Sequence, residues 1–233
     1  GKDGHNAQTP AFTFFVPGRI EILGKHTDYA GGRSMLVAVE KGFCAVAVPR
    51  GDASIGLCDL SDDTRVRFPF TPDLAPTPGT WSNYPMTVAR RLARNFAGGL
   101  RGAEIAFASD LPRAAGMSSS SALVVATFLS LSAVNDLASR PAYTRNIGDL
   151  ETLAGYLGTV ENGLRFGTLL GDRGVGTFGG SEDHTAMLCA RPGQIVQYAY
   201  CPVRFERAVQ LPPDHVLLVA VSGVVADKTG NAM

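Results

Sequence analysis

Three stretches of this sequence combine residue types that can do chemistry. In residues 109–123, a Ser-Asp-Leu-Pro turn, a small-residue loop and four consecutive serines, Ser118, Ser119, Ser120 and Ser121, run into an Ala/Leu/Val-rich segment. A loop that empties into the first turn of an apolar helix suits an anion. Free N–H groups and the positive end of the helix dipole converge there, and small side chains let a phosphate approach the backbone. Serine runs also serve as helix caps or flexible linkers. The second stretch joins Pro17-Gly18-Arg19 to Gly24-Lys25-His26-Thr27-Asp28-Tyr29. An arginine there can offset charge on a transferred phosphoryl group, and Asp and His offer directional hydrogen bonds to a hydroxyl-rich ligand. A tight turn held by a local Arg–Asp pair would use the same residues. The third is Gly179-Gly180-Ser181-Glu182-Asp183-His184. Its carboxylates beside a histidine suit a metal or a general base, or are solvated surface charges.

The pattern of apolar residues predicts the elements that place these stretches. Strands are expected over residues 12–16, stopped by Pro17-Gly18, then over 20–23, 35–39, 43–49, 54–59 and 64–68. Residues 24–32 read as an exposed functional loop, and the Pro-rich residues 69–79 as a surface connection. From Trp81 the period becomes helical, with Tyr84, Val88, Leu92 and Phe96 on one face and Arg90, Arg91 and Arg94 off it. A strand over 103–108 delivers the chain to the serine loop and a helix reaching about Asn135. A further helix is expected over about 149–166, with Leu150, Leu153, Leu157 and Val160 on one side, followed by a glycine-rich loop over 167–180. Strands over 185–189, 194–200 and 216–221 complete an α+β fold, a largely antiparallel sheet with helices packed on one face.

Composition narrows the partners. The 233 residues carry 21 basic and 21 acidic side chains, a formal net charge of zero. Nucleic acid and anionic membranes therefore have no electrostatic attraction to exploit, and a small-molecule partner fits better. The scattered Cys44, Cys58, Cys189 and Cys201 form no Cys-x-x-Cys pair, so reduced, partly buried thiols in a cytoplasmic protein are expected. No apolar run is long enough to span a bilayer.

In this order and spacing, the three stretches resemble the GHMP kinase family, and within it the galactokinase branch. Residues 17–32 are similar to the galactokinase signature Pro-Gly-Arg-Val-Asn-Leu-Ile-Gly-Glu-His-Thr-Asp-Tyr-Asn-Gly-Gly. Residues 112–122 are similar to the family's Pro-x-Gly-x-Gly-Leu-Ser-Ser-Ser-Ala-Ala phosphate loop. Trp81-Ser82-Asn83-Tyr84 and Val221-Ser222-Gly223-Val224 add weaker likeness. The resemblance implies ATP- and Mg²⁺-dependent phosphorylation of a sugar hydroxyl, the anomeric one by expectation. Pro112, Ala115, Gly116, Met117, Ser118, Ser119, Ser120 and Ser121, with Trp81, would bind ATP. Ser120 and Glu161 would hold the metal, Asp183 would be the base and Arg19 its electrostatic partner. Lys25, His26, Asp28 and Gly180 would contact the sugar. Asp183, with a reference pKa of about 3.9, would be ionised at neutral pH.

Departures from the family pattern point to specificity. Lys25 stands where galactokinases have a glutamate that binds a distal sugar hydroxyl, and Glu21 where they have asparagine. Lysine only donates hydrogen bonds, so the group opposite Lys25 should be an acceptor or an anion, as in a uronic acid. The alternative pairs Lys25 with Glu182 or Glu21, or turns it to water. Ala114 replaces the first glycine of the phosphate loop, and the insert over 167–180 is longer than expected and could reshape the pocket or act as a lid. Two other functions use the same family fold: a non-catalytic ATP and sugar sensor, and a kinase for a non-sugar alcohol. The expected layout is a loose arm over 1–11, the ATP- and sugar-binding domain over 12–210, and over 211–233 the start of a C-terminal domain whose remaining ~100 or more residues are absent. A monomer or weak homodimer is expected.

Overall fold

The computed structural model describes residues 10–112 and 116–220. Its regular elements begin at Phe12 and end at Gln210: β1 (Phe12–Leu23), β2 (Arg33–Pro49), β3 (Ser54–Asp59), β4 (Thr64–Pro69), α1 (Asn83–Asn95), β5 (Ala103–Ser109), α2 (Ser119–Val134), α3 (Pro141–Asn146), α4 (Leu150–Asn162), α5 (Glu182–Cys189), β6 (Gln194–Ala199) and β7 (Arg204–Gln210). Seven strands form one sheet in the order β4-β3-β5-β2-β6-β7, with β1 also paired to β2. All pairings are antiparallel except β3 with β5. The expected α+β class and largely antiparallel sheet are found.

At the centre lies β2, longer than its sequence suggests. The expected break between residues 39 and 43 is absent, because β6 pairs with one end, β5 with the other, and β1 spans both. Those neighbours supply hydrogen bonds that carry the strand through Gly42. Pro17-Gly18 likewise does not stop β1. The register shifts there, and pairing resumes with Arg19 opposite Ala38, an irregularity of the kind that re-aims a side chain beside a functional site. Gly18 is needed for contact, since a Cβ on it would lie 2.5 Å from Leu111 Cδ2 and 3.3 Å from the Met117 carbonyl oxygen. The serine loop thus packs directly on β1.

The helix after that loop, α2, is apolar all round and buries Val124, Val125, Phe128 and Leu131 against the sheet. A helix without a polar face belongs in a protein centre. Leu36, Ala186, Val196, Tyr198 and Tyr200 form a second core cluster under β6.

Several expectations need correction. Residues 185–189 are helical, part of α5, because Asp28 accepts a hydrogen bond from the Glu182 backbone N–H at 3.0 Å and so supplies a first-turn partner from far along the chain. The long helix ends at Asn162, four residues early, where the Asn162 side chain accepts from Leu164 N–H at 2.9 Å and donates to the Gly179 carbonyl at 2.8 Å. Leu150 is exposed rather than packed. Strand β7 and helix α3 were not expected at all. Residues 216–220 have no regular structure, and residue 221 lies outside the described residues, as do Ala114, 222–224 and most of the expected arm. All four cysteines are free, but Cys44 and Cys201 are exposed rather than partly buried.

Arg90 and Arg91 also depart from expectation: both are buried. The glycine-rich segment wraps over α1, placing the Asp172 carboxylate 2.7 Å from Arg90 Nε and 3.6 Å from Arg91 Nη1. The Asp172 side chain is 1% exposed and the two arginines 8% and 0%. Removing one partner of such a group leaves uncompensated buried charge. Asp172→Ala is therefore expected to lower unfolding free energy by about 3–5 kcal/mol, measured by urea denaturation; a change within the ordinary surface range would show that the segment does not depend on this pairing.

Candidate active site

Four separate elements deliver side chains to one cavity of about 570 Å³. The end of β1 brings Arg19 and Glu21, and the following loop Lys25, His26 and Asp28. The serine loop and α2 bring Gly116, Met117, Ser118 and Ser121. Glu161 comes from α4, Gly180 from the loop before α5, and Asp183 from the first turn of α5. A small-molecule site has this size and mixture of groups.

Arg19 is the hinge of the arrangement. Its Nε donates to Asp183 Oδ1 at 2.7 Å, its Nη2 lies 2.6 Å from the same oxygen, and its Nη1 donates to the Gly116 carbonyl at 2.8 Å. The Ser121 hydroxyl donates to Asp183 Oδ2 at 3.2 Å. Burial alone would raise the Asp183 pKa. The Arg19 charge, with the Ser118 hydroxyl and His184 nearby, outweighs burial and leaves the carboxyl below its ordinary value. Asp183 is therefore ionised at neutral pH and sits beside the first turn of α2. Ser118, at the N-cap of that helix, has φ 58°, a conformation rare for a residue with a Cβ and often found at functional sites.

The loop after β1 is pinned by Thr27, whose hydroxyl bonds the Gly24 carbonyl at 2.7 Å and the Arg33 carbonyl at 2.9 Å. Asp28 is 7% exposed and spends one oxygen on the Glu182 N–H. Gly180 lets that carboxylate in, since a Cβ there would lie 2.2 Å from Asp28 Oδ2. Lys25 and His26 are exposed on the cavity wall. Lys25 makes no ion pair among the described residues, so its pairing with Glu21 or Glu182 is not formed.

The remaining expected residues are placed less directly. The pKa of the Tyr84 phenol is raised by burial and then by the Glu161 charge, with the Ser120 hydroxyl opposing the rise. Pro112, Ser119 and Ser120 are not among the cavity-lining residues, and Ala115 lies outside the described ones. Trp81 packs edge-on to Phe107, ring centroids 5.6 Å apart, against the core rather than on the cavity wall.

Sequence reasoning missed three features. Glu182 is 6% exposed, and burial with the Glu21 charge beside it pushes its carboxyl up to about 9, so it is protonated at neutral pH. Glu21 at an atypical position was the visible sign. Tyr29 and Phe178 form an aromatic rim, ring centroids 5.3 Å apart, which the glycine-rich segment gave no local signal to predict. His184 contacts Glu161 at 3.1 Å.

Comparison with known proteins finds two sequence signatures and a matching fold. The galactokinase galactose-binding signature matches residues 3–49, and the GHMP kinases N-terminal domain matches residues 83–167. A galactokinase of Roseiflexus sp. (strain RS-1) is 32% identical over 223 residues, covering 93% of this chain and 50% of that protein. One from Halalkalibacterium halodurans is 37% identical over 120 residues, 51% of this chain and 30% of its own length. The chain thus spans half the length, or less, of these curated relatives. In fold it matches Lactococcus lactis galactokinase, solved in complex with galactose, with a TM-score of 0.71 at 22% identity over 87% of this chain and 47% of that one. Methanococcus jannaschii mevalonate kinase matches with a TM-score of 0.60 at 14% identity, over 87% of this chain and 57% of that one. With both signatures in place on this fold, the chain carries a galactokinase galactose-binding signature and a GHMP kinase N-terminal domain.

Proposed function

We propose that this protein is an ATP-dependent sugar kinase that transfers the γ-phosphoryl group of ATP to a sugar hydroxyl, the anomeric one, of galactose or a related sugar, neutral or acidic. The observation that carries the reading is the Arg19 guanidinium joining the serine loop to the Asp183 carboxylate, with Lys25, His26 and Asp28 in the same cavity. That juxtaposition suits two substrates meeting. Helix α2 presents its positive end and first-turn N–H groups to the phosphates, and the loop after β1 presents donors and acceptors to hydroxyls.

In the proposed reaction the sugar hydroxyl gives its proton to Asp183 as its oxygen attacks the γ-phosphorus. A P–O bond forms to the sugar, the bond from the γ-phosphorus to the bridging oxygen breaks, and ADP leaves with that electron pair. Arg19 keeps Asp183 ionised beforehand and offsets charge on the phosphoryl group during transfer. The Glu161 carboxylate and Ser120 hydroxyl are hard oxygen donors, as Mg²⁺ prefers. Among the described residues no group of three or more His, Cys, Asp or Glu side chains could hold a metal, so phosphate and water would complete the shell. When bound, Mg²⁺ neutralises phosphate charge.

Exposed and without an ion pair among the described residues, Lys25 favours an anionic substituent on the sugar, a uronic acid. The proposed setting is the cytoplasm, as a monomer or weak homodimer acting on small molecules with no nucleic acid or membrane partner. The free thiols and neutral net charge support it, and among the described residues no helix is long and apolar enough to cross a membrane. The domain is proposed to span residues 12–210, with residues 211–233 opening a second one.

Kinetic measurements on the intact protein test this reading. ATP consumption with galactose and galacturonate is expected to favour the acid, and Lys25→Ala to lower kcat/KM for it roughly 10- to 100-fold, as loss of a charged hydrogen bond implies; efficient turnover of galactose alone would remove the acidic-sugar reading. Asp183→Asn is expected to cost about 10²–10⁴-fold in kcat. Because the base must be ionised, kcat/KM should hold above the depressed Asp183 pKa and fall as pH drops through it. Arg19→Leu removes the largest interaction opposing burial, so the acid limb should move to higher pH; an unmoved limb would show that Asp183 is not the titrating base.

A further inference from the structure

His184 follows the proposed base along α5 and is 1% exposed. Its Nε2 lies 3.1 Å from Glu161 Oε1, and its Nδ1 is buried with no hydrogen-bond partner among the described residues. Among those residues the imidazole thus makes a single hydrogen bond, and that bond goes to the carboxylate on α4 read above as the metal-binding one. A carboxylate accepts, so the Nε2 hydrogen donates. Both residues line the cavity, and the Glu161 side chain is still 16% exposed, so it keeps a face toward the site. Tyr84, beside Ser120, feels the same Glu161 charge.

We propose that His184 is a positioning residue: it holds one oxygen of Glu161 so that the other faces the divalent cation carried by the nucleotide phosphates. The proposal rests on the kinase reading of Glu161. A carboxylate on a flexible side chain loses rotamer freedom when it binds a metal, and a fixed donor behind it removes part of that cost. Donors behind ligating groups are worth about 10- to 100-fold in metal affinity. The pairing also places the base and the metal-binding carboxylate under one short helix, because Asp183 and His184 are successive residues. A displacement of α5 would then move both.

Calorimetric titration of the intact protein with ATP, in Mg²⁺ and in EDTA, tests this without turnover, and Mn²⁺ binding to the ATP complex can be followed by electron paramagnetic resonance. His184→Leu is expected to weaken the Mg²⁺-dependent gain in ATP affinity, and Mn²⁺ affinity, about 10- to 100-fold. ATP binding in EDTA should stay unchanged. His184→Gln, whose amide can donate to Glu161, should remain within a few-fold of the wild type. If His184→Leu does not fold, His184→Asn, polar but too short to reach, takes its place. A wild-type metal dependence that survives in the Leu or Asn variant overturns the proposal alone, as does a Gln variant that loses as much as they do. A wild type with no metal-dependent gain overturns the kinase reading, and the proposal with it.

Discussion

The ion pair between Arg19 and Asp183 is the constraint on which the rest of the site depends. One guanidinium grips a carboxylate with two nitrogens and the Gly116 carbonyl with the third, so three chain segments far apart in sequence meet at a planar group with fixed donor directions. Burial would raise the pKa of an isolated carboxylate; here the cation beside it holds the pKa below its ordinary value. The site's charge state is therefore a property of the pair.

Around that pair, the structure spends carboxylates in unlike ways. Asp183 is ionised by its cation, Glu182 is neutralised by burial and by Glu21, and Asp28 is used from one side as the first-turn acceptor of α5. Neighbouring residues 182 and 183 thus sit in opposite protonation states because one faces Arg19 closely and the other faces a second carboxylate. Such divergence between adjacent acids is common where one group must accept a proton. Glu161, tied to His184, is a fourth case.

The glycine-rich segment between α4 and α5 shows how much work an irregular stretch can do through a few contacts. Asp172 clamps it to Arg90 and Arg91, Asn83 donates to the Val175 carbonyl at 2.8 Å, and Phe178 at its far end meets Tyr29 on the rim of the cavity. What reads in sequence as a loop is a strap clamped to α1 at its core end and held at the site end by Asn162, which donates to the Gly179 carbonyl.

Residue type and spacing alone determined the α+β class and the serine loop opening a buried helix, because glycine, proline and apolar period are local signals that short segments obey by themselves; that Arg19, Lys25, His26, Asp28, Glu161, Gly180 and Asp183 belong to one site came from the resemblance to the galactokinase signatures, and the fold places them in one cavity. Tertiary structure decided what depends on partners distant in the chain. Strands β1 and β2 run through Gly18 and Gly42 because neighbouring strands hold them, and residues 185–189 coil because Asp28 reaches their first turn. Arg90 and Arg91 are buried because Asp172 comes to them. Likewise, Ser121 rather than Ser120 bonds Asp183, and Trp81 packs on Phe107, since rotamer and packing select among residues that sequence leaves equivalent. A hydrogen bond or ion pair closing a long loop leaves no periodic trace in the residues between its ends, so only the folded chain reveals it.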